Sequence, residues 1–355
     1  MNEKKWFIFV ISFYILIIAV TGALTGIIDP YFHYHAPING TAYHLDNAYY
    51  RNDGISRHFS YNAMIIGTSM TQNFKTSEAN NLFDKEFVRI TYLGEGFKLI
   101  NDNLRQAVNS NPDLDFVIRS VDPIWFISDE NWVGYNDYPD YLYDDQLLND
   151  VNYLFNKEIF LRDVVPELFS SIKGSSPDTF DDYVMNEDGK NGKENVLKAY
   201  VRPEREIKAI DPAETEEYFN MLNKNLEQNV ISTIAENPDI TFYIFFPPYS
   251  ICWWDSIHQY GTDTLLRRIH MEQYAIEKFL AYDNVHLFSF SNNFDLICNL
   301  DYYIDEIHYT PEINSQILIW MKEGAYELTI NNYMDYINAI AQFYTSYDYD
   351  QVFNI

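Results

Sequence analysis

The chain has 355 residues, and 52 acidic against 24 basic side chains leave it with a net charge of −28 at pH 7. That balance argues against nucleic acid as a partner, because no basic stripe exists to replace the counterions of a polyanion. Aromatic residues make up 17% of the chain, which permits a large core with many half-polar tyrosine contacts.

The first element is an uncharged run from Trp6 to Ile28, preceded by Lys4 and Lys5. Roughly 20 apolar residues cross a bilayer as a helix, whereas a cleaved signal peptide has an apolar region of roughly 7–15. Residues 1–28 are therefore expected to be a cytoplasmic tip and an uncleaved, single-pass membrane anchor. The two lysines keep the N-terminus inside and place residues 29–355 outside the cytoplasm. Cleavage after Ala19 or Ala23 is the competing reading. The remaining length suits one large domain, or a domain carrying an insertion.

Past the anchor, Pro30 and Pro37 bracket an irregular stretch that a helix would not cross easily. It contains His33 and His35, but two alternating histidines without a third ligand make a poor metal site. No metal or cofactor is expected. Residues 63–66, 87–92, 116–121, 241–246 and 285–290 read as short strands buried on both faces. Helical patterns lie between them, most clearly at 213–236 and 265–281. This alternation predicts an α/β domain with a parallel sheet. The gap between the third and fourth strands must hold an insertion, roughly 128–212, helical in part around 146–172. Residues 186–193 are its best loop signal. Cys252 and Cys298 are the only cysteines; they could form one bridge but not a disulfide framework.

Three residues could form one nucleophilic site. Ser69 follows the first strand, and ligands of parallel sheets bind beyond the carboxyl ends of strands. Asp305 and His308 follow the fifth strand, three residues apart. An acid so placed can hold the imidazole in one tautomer while its other nitrogen faces the serine. The plain alternatives are a serine that caps a turn and a solvated Asp–His pair.

These residues resemble the SGNH/GDSL hydrolase superfamily, whose serine block follows the first strand and whose D-x-x-H block lies near the end. More narrowly, Asp29 to His35, Gly67 to Thr71, Tyr138 to Asp144 and Phe246 to Ser250 resemble a branch of exported, membrane-anchored proteins of Gram-positive bacteria. The resemblance implies a flavodoxin-like three-layer domain with Ser69 as nucleophile, His308 as base and Asp305 as its orienting acid. It implies an oxyanion hole built from N–H groups of Ser69 and of Gly94 or Gly96. Where the superfamily has an asparagine in that hole, this chain has Asp122, a departure that disfavours efficient ester hydrolysis.

Tyr249, Trp253 and Trp254 are expected either to wall the substrate pocket or to pack beneath the catalytic edge, and Asp122 to face the substrate. The stretch 135–145 mixes tyrosines with carboxylates; it could hold a sugar or Ca²⁺, or pack as an ordinary loop. By resemblance, the expected function is a serine esterase or acyltransferase working on O-acyl groups of a cell-envelope glycopolymer, a D-alanyl-type transferase on teichoic acid included. A non-catalytic glycan-binding or assembly factor with the same fold is the alternative.

Overall fold

Apolar runs without polar alternation must be covered on both faces, and five of them lie side by side in one parallel sheet. In the computed structural model, which describes residues 3–134, 138–144, 146–182 and 191–353, the chain opens with α1 (Glu3–Ile28), α2 (Ala48–His58) and β1 (Ala63–Gly67). It continues through α3 (Thr76–Phe83), β2 (Phe87–Thr91), α4 (Phe97–Ser110) and β3 (Phe116–Ser120). Between β3 and the next strand lie α5 (Val151–Leu154), α6 (Lys157–Ile159), α7 (Val165–Ile172), α8 (Lys193–Ala199), α9 (Pro212–Leu226) and α10 (Ser232–Glu236). Then come β4 (Thr241–Phe246), α11 (Ile251–His258), α12 (Thr262–Phe279) and β5 (Val285–Ser289). The chain finishes with α13 (Phe294–Cys298), α14 (Pro311–Glu323), β6 (Glu327–Leu328) and α15 (Tyr333–Ser346).

The sheet order is β2-β1-β3-β4-β5-β6. The first five strands are parallel, and β6 runs antiparallel to β5. This is the flavodoxin-like doubly wound order, which puts the carboxyl ends of β1, β3 and β4 next to one another. Two groups of helices make the outer layers: α2, α4, α9, α12 and α15 form a continuous series of neighbours, while α3 packs with α14. The five expected strands appear within one residue of their predicted limits. The two-residue β6 was not expected, since so short a segment shows no alternation.

The expected helix over 213–236 is one helical run relaxed by a π-turn at Glu227–Ile231, between α9 and α10. A second π-turn, Phe160–Val164, precedes Pro166 in α7, where the missing N–H would interrupt an ordinary helix. Of the expected loop at 186–193, residues 186–190 fall outside the described residues. Cys252 and Cys298 are both free thiols, so the possible bridge is not present.

The stretch after α1 has no regular structure, yet it is tightly held. Asp29 is buried, and its carboxylate accepts the N–H groups of His33 (3.0 Å), Tyr34 (2.8 Å) and His35 (3.0 Å) together with the Tyr153 hydroxyl (2.8 Å). His33 Nε2 sits 3.2 Å from Asp150, and His35 bonds backbone carbonyls. Both histidines are thus engaged in structural bonds. Phe32 and Tyr31 then press their carbonyls against α2 at Gly54, where an added Cβ would stand 2.3 Å from the Tyr31 oxygen and 2.5 Å from that of Phe32. Both obstacles are backbone, which cannot swing aside. Gly54→Ala is accordingly expected to lower stability by about 1–3 kcal/mol, the usual cost of forced overpacking. A thermal melt within experimental error of wild type would show that the Tyr31–Phe32 turn is free to move.

Candidate active site

β1 delivers the chain to a tight turn at the carboxyl edge of the sheet. Thr68 caps this turn, its Oγ1 accepting the Met70 N–H at 3.2 Å, and Ser69 opens a single 3₁₀ turn, Ser69–Thr71. The turn is pinned from the far end of the chain. Tyr309 Oη and Asn314 Nδ2 both donate to the Met70 carbonyl, at 3.1 and 3.0 Å. The turn does not run straight on into a helix; α3 starts only at Thr76.

The Asp305–His308 pair lies in a loop between Leu300–Tyr302 and α14, closed by a β-bridge between Tyr303 and Tyr309. Ser250 ties this loop to the end of β4, its Oγ donating to the Glu306 carbonyl at 2.7 Å, and the Tyr303 hydroxyl donates to the Pro248 carbonyl at 2.9 Å. The loop brings together what the sequence separates. Ser69 Oγ is 2.7 Å from His308 Nε2, and His308 Nδ1 is 2.7 Å from Asp305 Oδ2. The other Asp305 oxygen accepts the backbone N–H groups of Ile307 and His308, at 2.9 and 2.7 Å. Burial alone would raise the Asp305 pKa. The bond and charge of His308, helped by the two amides, overcome that and hold the carboxyl below its ordinary value. An ionised Asp305 fixes the imidazole with Nδ1 protonated, which leaves Nε2 as the acceptor for the serine proton.

A pocket of about 320 Å³ opens beside Ser69 and His308, walled by Met70, Leu93, Ile124, Trp125 and Ile307, with Thr68, Gly94, Asp122 and Tyr249 also lining it. The N–H groups of Ser69 and Gly94 have no hydrogen-bond partner among the described residues. Gly94 adopts φ +68°, a conformation that glycine accepts without strain. Gly96, the other expected donor, caps α4 and lies against Trp132 outside the pocket.

Asp122 is 1% exposed and takes three hydroxyl donors: Tyr249 on Oδ1 at 2.9 Å, and Thr68 and Ser120 on Oδ2 at 3.0 Å each. Burial raises its pKa, and the three hydroxyl bonds oppose that rise. Tyr249 therefore serves the pocket through Asp122. Trp253 does not reach the catalytic pocket; it lines an adjoining one of about 200 Å³ with Arg267, Arg268 and Met271, the two sharing Ile124. Trp254 stacks on Tyr344 at 3.8 Å in the core.

Within the stretch 135–145, Tyr138 and Tyr143 pack ring to ring at 4.4 Å, and no cluster of three or more metal-ligating side chains exists among the described residues. Residues 135–137 and 145 are outside those described. Thr68, Ser120 and Ile124 were not expected at the site. The two hydroxyls do neighbour the serine and Asp122 in sequence, but no linear pattern says that they share one acceptor.

No family model matches the chain, and neither does any curated protein. Among solved structures, the chain is similar to one described as "The structure of a putative platelet activating factor from Streptococcus pneumonia", at 14% identity and a TM-score of 0.39, over 79% of this chain and 92% of that one. At that level of similarity, the functional reading rests on the site geometry.

Because the folded pKa of Asp305 lies below its unfolded value, its bonds add stability that is fully present above the unfolded value near 3.8 and is lost as pH falls through the folded one. Denaturant melts of wild type and Asp305→Asn should therefore differ more at pH 7 than at pH 3. A gap that does not change with pH would mean that Asp305 is not held ionised by His308.

Proposed function

We propose that the protein is a membrane-anchored serine esterase or acyltransferase of the SGNH type, acting on O-acyl groups of a cell-envelope glycopolymer. The observation that carries this reading is the continuous chain from Ser69 Oγ through His308 to Asp305, with both links at 2.7 Å. A serine hydroxyl is a weak nucleophile at neutral pH, and this arrangement removes its proton as it attacks. Ser69 Oγ adds to the acyl carbonyl while His308 Nε2 takes the proton. The oxyanion is met by the N–H groups of Ser69 and Gly94. His308 returns the proton to the departing sugar oxygen, which leaves an acyl-serine. Water or a second hydroxyl then attacks with His308 again as base, so hydrolysis and transfer share the first half of the reaction. Leu93, Ile124 and Ile307 give the pocket an apolar wall suited to a short acyl chain. The glycopolymer is the substrate class that the sequence resemblance implies.

Helix α1 supports placement at a membrane, since it is long and apolar enough to span one. With Lys4 and Lys5 on the short side, residues 29–355 lie outside the cytoplasm. A protease added to intact protoplasts should digest that domain, and full protection would reverse the orientation.

One observation favours a second reading, a non-catalytic glycan-binding factor. Asp122 stands where the superfamily has an asparagine donor, and an ionised carboxylate repels an oxyanion. Mass spectrometry separates the two. Incubated with an activated acetyl ester, the full-length protein in detergent should gain one acetyl group in a burst, and Ser69→Ala should gain none. Asp305→Asn should keep the fold and lose turnover by about 10⁴, the loss seen when a serine triad is deprived of its orienting acid. If neither an adduct nor a burst appears near neutral pH, the binding reading replaces the enzymatic one.

A further inference from the structure

The insertion between β3 and β4 exposes more large apolar side chains than a surface in water should carry. Leu147, Leu148, Val151 and Phe155 are exposed along its first half, and Leu161, Phe169 and Ile172 along its second. Leu148 is 91% exposed and Ile172 72%. Exposed large apolar side chains at this density mark an interaction surface.

Its position identifies what covers it. α5 and the π-turn Phe160–Val164 are the elements that pack against α1. Leu154 lies over Gly26, and Phe155 lies on Gly22, so close that a Cβ at residue 22 would stand 2.6 Å from the ring. The Gly22-x-x-x-Gly26 face, a pattern that in membrane helices admits a close neighbour, is thus occupied by the protein's own insertion. Counted from Trp6, about 20 residues at a rise of about 1.5 Å use up the roughly 30 Å of a bilayer's hydrocarbon, which ends near residue 25. The Phe155–Gly22 contact lies on the lipid side of that limit. Along the chain the exposed apolar side chains lie on both sides of Phe155, and the exposed Lys157, Arg162 (paired with Glu158 at 3.0 Å) and Lys173 are interspersed with them, able to reach lipid headgroups while their stems stay apolar.

The insertion is also unable to swing away from α1. Tyr153 Oη donates to Asp29 at 2.8 Å and accepts the Tyr31 N–H at 3.2 Å, and Tyr34 Oη donates to Asp150 at 2.9 Å.

We infer that residues 146–172 form a platform that sits in the outer boundary of the same bilayer that α1 crosses, with Leu148, Phe155, Phe169 and Ile172 among the acyl chains. The domain then rests on the membrane in one orientation instead of hanging from a flexible tether. This inference rests on the anchor reading of α1.

The test uses the full-length protein in nanodiscs of phosphatidylcholine and phosphatidylglycerol. Spin labels are attached to single cysteines at Phe13, Leu148, Phe169 and Ile330 in a Cys298→Ser background. Cys252 is buried, its thiol pushed up to about 12, and does not take the label. Positions 148 and 169 should match position 13, with collisions with oxygen exceeding those with a water-soluble nickel chelate, while position 330 should show the reverse. Lipid at 13 with water at 148 and 169 overturns the platform and leaves the anchor standing. Water at 13 overturns both. Should a labelled variant fail to fold, a diazirine-bearing phospholipid reports on the wild-type chain. Adducts in residues 146–172 as well as 3–28 support the platform, and adducts confined to 3–28 overturn it.

Discussion

The carboxylate of Asp122 is the point on which the candidate site depends. Its three donors come from three neighbouring strand ends: Thr68 just after β1, Ser120 at the end of β3 and Tyr249 just after β4. Taking a lone carboxylate out of water costs several kcal/mol. Three hydrogen bonds to a charged group, at roughly 1.5–3 kcal/mol each, oppose that cost, although burial still leaves the carboxyl above its ordinary pKa. The result is a rigid floor under the pocket, with Ser69 one residue from a donor. A carboxylate can accept all three hydroxyls at once, whereas an asparagine would turn its amide donors toward at least one of them.

The sheet was legible because its strands are largely buried on both faces and so read as mostly apolar runs without alternation, Arg89 and Arg119 being the buried exceptions. The serine was legible because it sits where β1 ends, and the D-x-x-H pair because its spacing lets the acid reach the imidazole. What stayed hidden depends on packing between distant segments. Residues 147–172 carry apolar side chains that resemble core helices in the linear sequence, and only the fold shows them facing outward. Trp253 looked like a pocket wall because it lies close to Tyr249 in sequence, but α11 turns it into the adjoining cavity. Gly96 could not be told from Gly94 until Trp132, 36 residues further on, was seen against it.

The N-terminal segment shows how a stretch without regular structure can be well defined. Asp29 ends α1 with a positive φ of 48° and gathers three successive amides and a tyrosine hydroxyl. The turn that results is a joint between α1, α2 and the insertion. Two prolines predicted only that a helix would stop there.

Ser69 and His308 are 239 residues apart, and this separation sets an order in time. A chain is made from its N-terminus at about 5–20 residues per second, so Ser69 exists for roughly 10–50 s before His308 does. Even then the loop from Tyr303 to Tyr309 must dock on the end of β4 before the imidazole meets the hydroxyl. The Ser69–His308 contact therefore cannot form until the chain has been made past residue 308, and any truncation ahead of His308 leaves the serine without the imidazole.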